Sequence, residues 1–466
     1  MPLILGTNSI KDTSYDVANS LRFNSGSSDY LNFSQGNGNR RTFTWSSWVK
    51  RSLLSNAQII WHCDNGGHYS MLYLRDDDTL QYYDIDGSTI QVNYITNRLF
   101  RDPSAWFHIT LRVDTTQSSS GDRIRIYING TQETSFSTST TPSQNTDLEI
   151  NVSSHTFRIG AYNNSGDFFS GYLAEVVFCD GQSLDPTSFG EFNSDSPTIW
   201  QPIDVSGLTF GTNGFHLDFE NSSALGNDVS GNDNDFSVGN LTSVDQSTDT
   251  CTNNFCTLNP LSFTEGTLSE GNLEIDQNGS AGRFCASTFQ VTQGKWYYEA
   301  KILNYGSDPR PSLGVGRNEE TYTGNAHQGA SSIVYGLENA AVFKGNTSVF
   351  DHNSSPSSGD IYGVAFDIDN LKIYFHKNGT YFNSGDPANG TGNVTTLVSG
   401  TDYSPITGAL NTSSNSARNN DWQFNFGSPP YSVSSGNSDA EGFGNFSHSV
   451  PSGFFSLCSK NLAEYG

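Results

Sequence analysis

The stretch Gly359-Asp-Ile-Tyr-Gly-Val-Ala-Phe-Asp-Ile-Asp-Asn-Leu-Lys-Ile-Tyr-Phe-His-Lys-Asn-Gly-Thr-Tyr-Phe382 decides the fold. Residues 361–366 form an apolar run typical of a strand covered on both faces, and Asp367 to Asn370 are turn residues that end it. Apolar and polar residues then alternate as far as Asn378-Gly379, which supplies the positive φ angles of a tight hairpin turn. The side predicted to face a core carries Leu371, Ile373 and Phe375, and the side predicted to face water carries Lys372, Tyr374 and His376. The stretch therefore predicts three antiparallel strands joined by two turns.

Two motifs upstream extend this pattern. They are Gly294-Lys-Trp-Tyr-Tyr-Glu299 and Ser312-Leu-Gly-Val-Gly-Arg317, and Lys372 opens a K-x-x-F-x-x-N-G hairpin. With these motifs, residues 262–457 resemble the SPRY domain. The resemblance implies a sandwich of two antiparallel sheets that recognises its partners through loops, and it brings no catalytic residues.

Length and composition agree with an all-β chain. The 466 residues suit two domains of ordinary size, and the 46 Gly, 31 Phe and 21 Tyr against 2 Met suit many short strands joined by turns.

A second set of motifs lies in the first half of the chain. It consists of Trp106-Phe-His108, Ile126-Tyr-Ile-Asn-Gly130, Gly171-Tyr-Leu-Ala-Glu-Val176 and the spacing of Leu184, Phe189 and Glu191. The set resembles the laminin-G-like branch of the concanavalin A-like jelly rolls. Ala174 stands where family members usually have Asp, which argues against the metal role sometimes linked with such domains.

The sequence thus predicts two tandem antiparallel β-sandwiches, a concanavalin A-like jelly roll followed by a SPRY-like sandwich. The predicted order is an N-terminal arm over residues 1–20, the jelly roll over 21–200, an irregular connector over 201–261, and the SPRY-like domain with its tail over 262–466. The connector is predicted because its strand signals are isolated among Gly, Asn and Asp.

Charge and cysteine usage exclude several classes of protein. The formal net charge of -25 repels phosphate backbones and anionic lipid surfaces, so nucleic acid is not an expected partner. The sequence shows neither an apolar run long enough for a membrane helix nor a signal peptide, so neither membrane insertion nor classical secretion is expected. The six cysteines lack Cys-x-x-Cys pairing and favour free thiols, with a bridge between Cys251 and Cys256 as the alternative.

No metal and no cofactor is predicted. Asp76 to Asp78 and Asp228 to Asp235 offer oxygen ligands for calcium, but solvated turns are the stronger interpretation. His62, Cys63 and His68 lack a fourth zinc ligand at a suitable spacing. Tryptophans are predicted as core rather than as a sugar-stacking surface, and they are Trp45, Trp48, Trp61, Trp106, Trp296 and Trp422.

Three short segments bear on biological context. Residues 4–13, 253–260 and 450–465 resemble virion fibre or appendage proteins of marine tailed phages. This resemblance implies a protein that is assembled in the host cytoplasm, becomes extracellular after lysis, and has other virion proteins as partners. It also implies a homo-oligomer, with a trimer preferred. Release by lysis would bring an adhesive protein to the outside of the cell without a secretion signal, which the sequence does not show.

The predicted function is non-enzymatic structural and adhesive binding to a host-surface ligand, a glycan or another receptor. The predicted ligand-binding residues lie in the SPRY-like loops 304–311 and 320–327, and they are Tyr305, Asp308, Arg310, Tyr322 and His327. One alternative is a carbohydrate-active enzyme of the concanavalin-like glycanase type, because Glu274-Ile-Asp276 begins a Glu-x-Asp-x-x-Glu pattern; Gly279 replaces its second Glu. The other alternative is a cellular lectin-like adhesin.

Overall fold

The computed structural model describes residues 11–163, 165–263, 266–276, 283–305, 311–318, 329–352, 355–409 and 420–466. The described residues divide into two compact units, one within 13–252 and one within 253–466 together with Lys11 and Asp12. We call them the first and the second sandwich. Strands pair antiparallel in both, apart from one short parallel pair in the second sandwich, and this confirms the predicted all-β fold class.

The strands of the first sandwich are β1 Ser20–Phe23, β2 Tyr30–Ser34, β3 Thr42–Arg51, β4 Gln58–Asn65, β5 His68–Leu74, β6 Thr79–Asp86, β7 Thr89–Leu99, β8 Phe107–Asp114, β9 Ile124–Ile128, β10 Thr131–Gln132, β11 Phe136–Thr140, β12 Thr156–Ile159, β13 Gly171–Asp180, β14 Gly190–Phe192, β15 Trp200–Pro202, β16 Phe215–Leu217, β17 Ser237–Gly239 and β18 Gln246–Ser247. Sheet 1 has the order β10-β9-β8-β3-β13-β1-β18, with β16 beside β13. Sheet 2 has the order β11-β7-β6-β5-β4-β12-β2-β17, and β14 pairs with β15 separately.

The core of the first sandwich lies between sheets 1 and 2 and is rich in aromatic rings. Trp45 of sheet 1 and Trp61 of sheet 2 both pack on Phe157, with ring centroids 6.0 and 5.3 Å from it. Trp45 and Trp61 are fully buried, as the sequence predicts for these tryptophans.

Residues 201–252 differ from the irregular connector that the sequence predicts. They form β16, β17 and β18, which join sheets 1 and 2, and their Phe215, Leu217 and Phe236 are buried in the same core. Single apolar residues spaced among Gly and Asn show no periodicity in the sequence, yet Phe215, Leu217 and Phe236 each fill a position in the core.

The elements of the second sandwich are β19 Thr267–Ser269, β20 Glu274–Asp276, β21 Arg283–Ala286, β22 Lys295–Tyr305, β23 Pro311–Gly316, β24 Ile333–Gly336, β25 Ala341–Lys344, β26 Thr347–Asp351, β27 Ile361–Asp367, β28 Lys372–Lys377, β29 Thr380–Tyr381, β30 Thr395–Thr396, β31 Ser404–Ala409, β32 Asn420–Asn425, β33 Phe455–Ser456 and the helix α1 Ser459–Tyr465. Sheet 3 has the order β19-β20-β32-β22-β27-β28-β29, with β30 beside β28 and β33 beside β22. Sheet 4 has the order β21-β31-β23-β24-β25-β26.

The predicted hairpins of the opening stretch are present in sheet 3. β27 pairs with β28, and β28 pairs with β29 across Asn378 and Gly379, whose φ angles are 48° and 81°. Ile373 and Phe375 lie in the core as predicted.

The prediction that Tyr374 and His376 face water is wrong, because both side chains are buried. Residues 437–457, which we call the covering segment, lie on that face of sheet 3. Phe446 and Phe454 of this segment pack with Tyr297, Ala365 and Tyr374. A strand that alternates in sequence is thus buried on both sides by a segment about 70 residues further along the chain.

Candidate functional site

The two sheets of the first sandwich differ in what lies on their outer faces. The outer face of sheet 1 is covered, because Trp48 and Ala174 pack there against Val17 and Trp200. Ala174 therefore lies in an apolar cluster at the position where the family usually has Asp. The outer face of sheet 2 keeps a row of aromatic side chains partly exposed, and these are Tyr69, Tyr73, Tyr83 and Tyr162. We call this row the tyrosine face.

Strand alternation places these side chains together. On β5, Leu72 and Leu74 point into the core, so Tyr69, Met71 and Tyr73 point outward. On β6, Leu80 and Tyr82 point inward, so Tyr83 points outward beside β5.

Ring contacts join the tyrosines into one surface. The ring centroid of Tyr69 lies 5.9 Å from that of Tyr83 and 6.2 Å from that of Tyr162. His62 packs between Tyr69 and Tyr162, with centroid distances of 5.5 and 4.5 Å. The His62 ring is buried and supports both tyrosines from one side.

Polar groups adjoin the aromatic surface. The Tyr73 hydroxyl donates to Oε1 of Gln81, which also accepts from Nη1 of Arg75 at 2.9 Å. Nε2 of Gln81 donates to Oδ1 of Asn93 at 2.7 Å. The amide and guanidinium groups therefore form a fixed row beside the tyrosine rings.

The rings of this face are uncharged, and the guanidinium of Arg75 beside Tyr73 carries a positive charge. Burial raises the pKa of Tyr69, Tyr73, Tyr83 and Tyr162, so all four hydroxyls remain protonated donors. Burial also lowers the pKa of His62 to about 4, so its imidazole is uncharged at neutral pH. Flat aromatic faces beside hydroxyl, amide and guanidinium groups suit the C–H faces and hydroxyls of a sugar, and a tyrosine orders few torsions on contact.

Sequence reasoning missed the tyrosine face, although β5 carried a signal for it. In His68-Tyr-Ser-Met-Leu-Tyr-Leu74 both alternating sets contain apolar or aromatic residues. A strand with one solvent-exposed face normally has polar residues in one of the two alternating sets. The aromatic content of the second set indicates a surface built for contact.

Of the residues predicted to bind ligand, Tyr305 is the one that the structure describes. Its ring is partly buried and packs against the core of the second sandwich, and burial raises its pKa. Asp308, Arg310, Tyr322 and His327 lie outside the described residues. The prediction that the loops 304–311 and 320–327 bind ligand stays a prediction.

The zinc ligands considered from the sequence do not converge, although His68 lies with Asp86 and Glu149 in a group whose ligand atoms are within 4.8 Å of one another. Cys63 lies in the core and His62 on the opposite face of β4, while His68 is exposed at the end of β5. Both oxygens of Asp78 accept hydrogen bonds from arginines, Arg51 at 3.0 Å and Arg101 at 2.8 Å.

The acidic loop 228–235 also has a structural role. Both oxygens of Asp228 accept from backbone amides, that of His216 at 2.9 Å and that of Asn234 at 3.0 Å. These hydrogen bonds hold the backbone of the loop around the Asp228 carboxylate. All six cysteines of the chain are free thiols, so Cys251 and Cys256 are not bridged.

A cluster of possible metal ligands lies in the second sandwich beneath the covering segment. The ligand atoms of Glu299, His376 and His448 lie within 4.8 Å of one another. Nδ1 of His376 accepts from the Gly379 amide at 3.2 Å, so its neutral ring carries the proton on Nε2, which lies 2.7 Å from the Tyr297 hydroxyl. That hydroxyl in turn donates to Glu299 at 2.9 Å.

The charge states in this cluster follow from burial and hydrogen bonding. Burial lowers the pKa of His376 to about 3. Burial also opposes ionisation of Glu299, but hydrogen bonds from His448 and from the amides of Ser447 and His448 outweigh it and keep the pKa of Glu299 below its usual range. The side-chain atoms of Glu299, His376 and His448 that could bind a metal ion are already engaged in hydrogen bonds.

A further acidic pair bears on the glycanase alternative. Glu274 and Asp276 lie on β20, and Asp276 is the cross-strand partner of Asp421 on β32. Burial, the charge of Asp276 and a hydrogen bond between the two carboxyls raise the pKa of Asp421 to about 6. Retaining and inverting glycosidases hold the scissile bond between two carboxyls about 5–9.5 Å apart, and Gly279 stands where the sequence pattern needs the second Glu. Gly279 lies outside the described residues.

This carboxyl pair predicts a pH-dependent gain of stability in the variant Asp421→Asn. Because the folded-state pKa is raised from 3.8 to about 6, the protonated pair stabilises the fold at low pH, and that contribution is lost as the pH rises through this range. We expect Asp421→Asn to raise the free energy of unfolding by about 1 kcal/mol at pH 7.5, an amount reduced by solvent screening. At pH 3.5 we expect little change.

Urea unfolding at the two pH values measures this effect, with the exposed Asp351→Asn as the control. An equal gain at both pH values would show that repulsion between the carboxyls is not its source.

Helices of the described residues include none that is both long and apolar enough to span a membrane.

Comparison with known families matches both halves of the chain. The family model Laminin_G_3, described as the concanavalin A-like lectin/glucanases superfamily, matches residues 25–186. The SPRY domain model matches residues 295–393. The chain therefore carries a laminin-G-like domain followed by a SPRY domain, and both resemblances drawn from the motifs are confirmed.

Several solved structures are similar in fold. The SPRY domain of human HERC1 is 15% identical, with 36% of this chain and 96% of that chain covered and a TM-score of 0.29. A SAP-like pentraxin from Limulus polyphemus is 18% identical, with 37% and 80% covered and a TM-score of 0.24. Domains LG4-5 of the mouse laminin alpha1 chain are 11% identical, with 88% and 89% covered and a TM-score of 0.29. A search of curated proteins gave no match.

Proposed function

We propose that this chain, with one laminin-G-like and one SPRY domain, is a non-enzymatic adhesive protein that binds a glycan on the tyrosine face of its first sandwich. The observation that carries the proposal is the partly exposed row of four tyrosines on an otherwise open sheet. The match to a superfamily described by its lectins and glucanases supports a saccharide as the ligand. The glycine at position 279, where the glycanase pattern needs its second Glu, supports binding over hydrolysis.

We further propose that the protein belongs to the particle of a tailed phage and attaches it to a host-surface glycan. Support comes from the resemblance of residues 4–13, 253–260 and 450–465 to virion fibre and appendage proteins. Attachment through many copies would let a weak single site hold firmly, because the second contact forms at high effective concentration. In this proposal, other virion proteins and sister chains, preferably in a trimer, are the partners.

The test is binding of the purified chain to an array of bacterial surface glycans, compared between the parent protein and the double variant Tyr69→Ala/Tyr83→Ala. Each stacked ring contributes about 0.5–1.5 kcal/mol beyond its buried area, so we expect at least a tenfold loss of affinity. The control Tyr374→Phe changes a tyrosine buried in the second sandwich and should bind like the parent. Equal binding by the parent and the double variant, with unchanged melting, would locate recognition elsewhere.

A further inference from the structure

A cavity at one end of the first sandwich combines aromatic walls with arginine side chains. Its volume is ≈ 480 Å³, within the range of small-ligand sites. The last residues of β7, the β7–β8 loop and the turn after β9 line it. We call it the arginine cavity, and the residues that matter here are Arg98, Arg101, Trp106, Phe107 and Asn129.

The two arginines are held by buried carboxylates. Nε of Arg98 donates to Oε2 of Glu133 at 2.7 Å, and Nε of Arg101 donates to Oδ2 of Asp78 at 2.8 Å. Glu133 and Asp78 are themselves fixed, since Glu133 accepts from the amide of Ser135 and Asp78 accepts from the amide of Ser55. Hydrogen bonds from Arg98 lower the pKa of Glu133, so that carboxylate stays charged although burial opposes it. Each guanidinium is therefore oriented before any ligand arrives.

The outer edges of both guanidinium groups remain available. Among the described residues, the Nη atoms of Arg98 and Arg101 have no hydrogen-bond partner, and the two side chains are 50% and 57% exposed. Two Nη groups on one arginine present parallel donors, which is the geometry that a carboxylate or a sulfate matches.

The walls of the cavity are fixed as well. Nε1 of Trp106 donates to Oδ1 of Asp249 at 3.0 Å, so the indole is held in place while part of its surface is exposed. Phe107 packs against Phe100, with ring centroids 5.0 Å apart. Oδ1 of Asn129 accepts from the His108 amide at 2.7 Å, which commits one end of that side chain.

Two cationic side chains, Arg98 and Arg101, and one carboxylate, Asp102, face the cavity. Oδ1 of Asp102 accepts from the amide and hydroxyl of Ser104 at 2.9 and 2.5 Å, which directs that oxygen to its own loop. The chain as a whole carries a net charge of -25, so a polyanion would be repelled over its length. A ligand with a single negative group can pair with the arginines without the repulsion that a polyanion would meet. A neutral, ring-shaped body suits the aromatic wall of the cavity.

We propose that the arginine cavity binds a sugar that carries a single carboxylate or sulfate. The anionic group pairs with Arg98 and Arg101, and the sugar ring lies against Trp106. This site is separate from the tyrosine face and does not depend on the function proposed for it.

The experiment measures binding of the full chain to three trisaccharides by calorimetry at 0.15 M salt. The probes are maltotriose, maltotriose with a terminal glucuronate, and maltotriose with a terminal 6-sulfate. We expect one or both charged probes to bind at least tenfold more tightly than maltotriose, and the comparison of the two tells carboxylate from sulfate. Equal affinity for all three probes would overturn the proposal.

Two variants locate the effect. Arg98→Gln should reduce binding of the preferred charged probe about fivefold or more without changing that of maltotriose, and Arg98→Lys should retain part of it. The control Arg41→Gln removes an exposed arginine that pairs with Asp147 and should leave all three affinities unchanged. Arg98→Gln removes a charged partner from the buried Glu133, which keeps its hydrogen bonds from the amides of Thr134 and Ser135, so thermal melting first establishes that the variant is folded. A charge preference that survives in the folded Arg98→Gln protein would contradict the assignment.

The tyrosine variant keeps this test independent. Tyr69→Ala/Tyr83→Ala should leave the ratio of charged to neutral affinity as it is in the parent. A change of that ratio in the tyrosine variant, with none in Arg98→Gln, would place anion recognition on the tyrosine face instead.

Discussion

Replacing Glu299 by Ala is expected to lower the free energy of unfolding by about 3–5 kcal/mol, the usual cost of removing one partner from a buried charged network. The carboxylate is fully buried and accepts from the Ser447 amide at 2.9 Å, from the His448 amide at 2.8 Å and from the Tyr297 hydroxyl at 2.9 Å. Its loss leaves those donors unpaired and releases the covering segment from sheet 3. Urea unfolding measures the free energy, and hydrogen exchange of residues 437–457 reports the local release.

Two further variants make the interpretation specific. Glu299→Gln keeps the size of the side chain but places an amide N–H group against existing donors, so we expect an intermediate loss. The control Glu464→Gln changes an exposed carboxylate paired with Lys11 and should alter the free energy by less than about 1 kcal/mol. Unchanged exchange protection of the covering segment in Glu299→Ala would contradict its role as the anchor.

Replacing Gly314 by Ala is expected to cost about 3 kcal/mol or more, because the added methyl group has no space. A Cβ atom at this position would lie 2.0 Å from the carbonyl oxygen of Ile333 and 2.7 Å from Cα of Val334. Those atoms belong to the backbone of β24, which pairs directly with β23, so the strands must separate. The carbonyl of Gly314 also accepts from the buried Tyr298 hydroxyl at 2.7 Å.

Thermal and urea unfolding of Gly314→Ala test this expectation. The matched change Gly67→Ala adds a methyl group that meets no atom within 4 Å, and it should stay within about 0.5 kcal/mol of the parent. Similar stability of the two variants would mean that β23 and β24 separate without cost.

Local patterns in the sequence predicted those parts of the fold that depend on neighbouring residues. The turn at Asn378-Gly379 follows from residue types that adopt positive φ, and the burial of Ile373 and Phe375 follows from alternation. Neither pattern contains information about what covers the opposite side of β28. Tyr374 and His376 were therefore predicted to be exposed to solvent, although Phe446 and Phe454 enclose that face.

The same limit applied to the candidate sites: local sequence patterns identified single residues, but not which residues the fold brings together. The motif residues Trp106 and Asn129 were recognised as family signatures, but their position at one cavity with Arg98 depends on the fold, because β7 and β9 end where β8 begins. To predict the tyrosine face, one has to know that sheet 2 is open on its outer side. Aromatic alternation in β5 was visible in the sequence, whereas the absence of a cover among the described residues was visible only in the fold.

The covering segment also has a consequence for synthesis on the ribosome. Sheet 3 contributes Tyr297, Ala365 and Tyr374 to an apolar face that Phe446 and Phe454 close. Until residue 457 has left the exit tunnel, a nascent chain holds that face unprotected, although β22, β27 and β28 have already emerged. The first sandwich has all its strands by residue 247 and can fold much earlier. The interval between these two events is when the chain is most exposed to aggregation, and it is the stage at which a chaperone would bind.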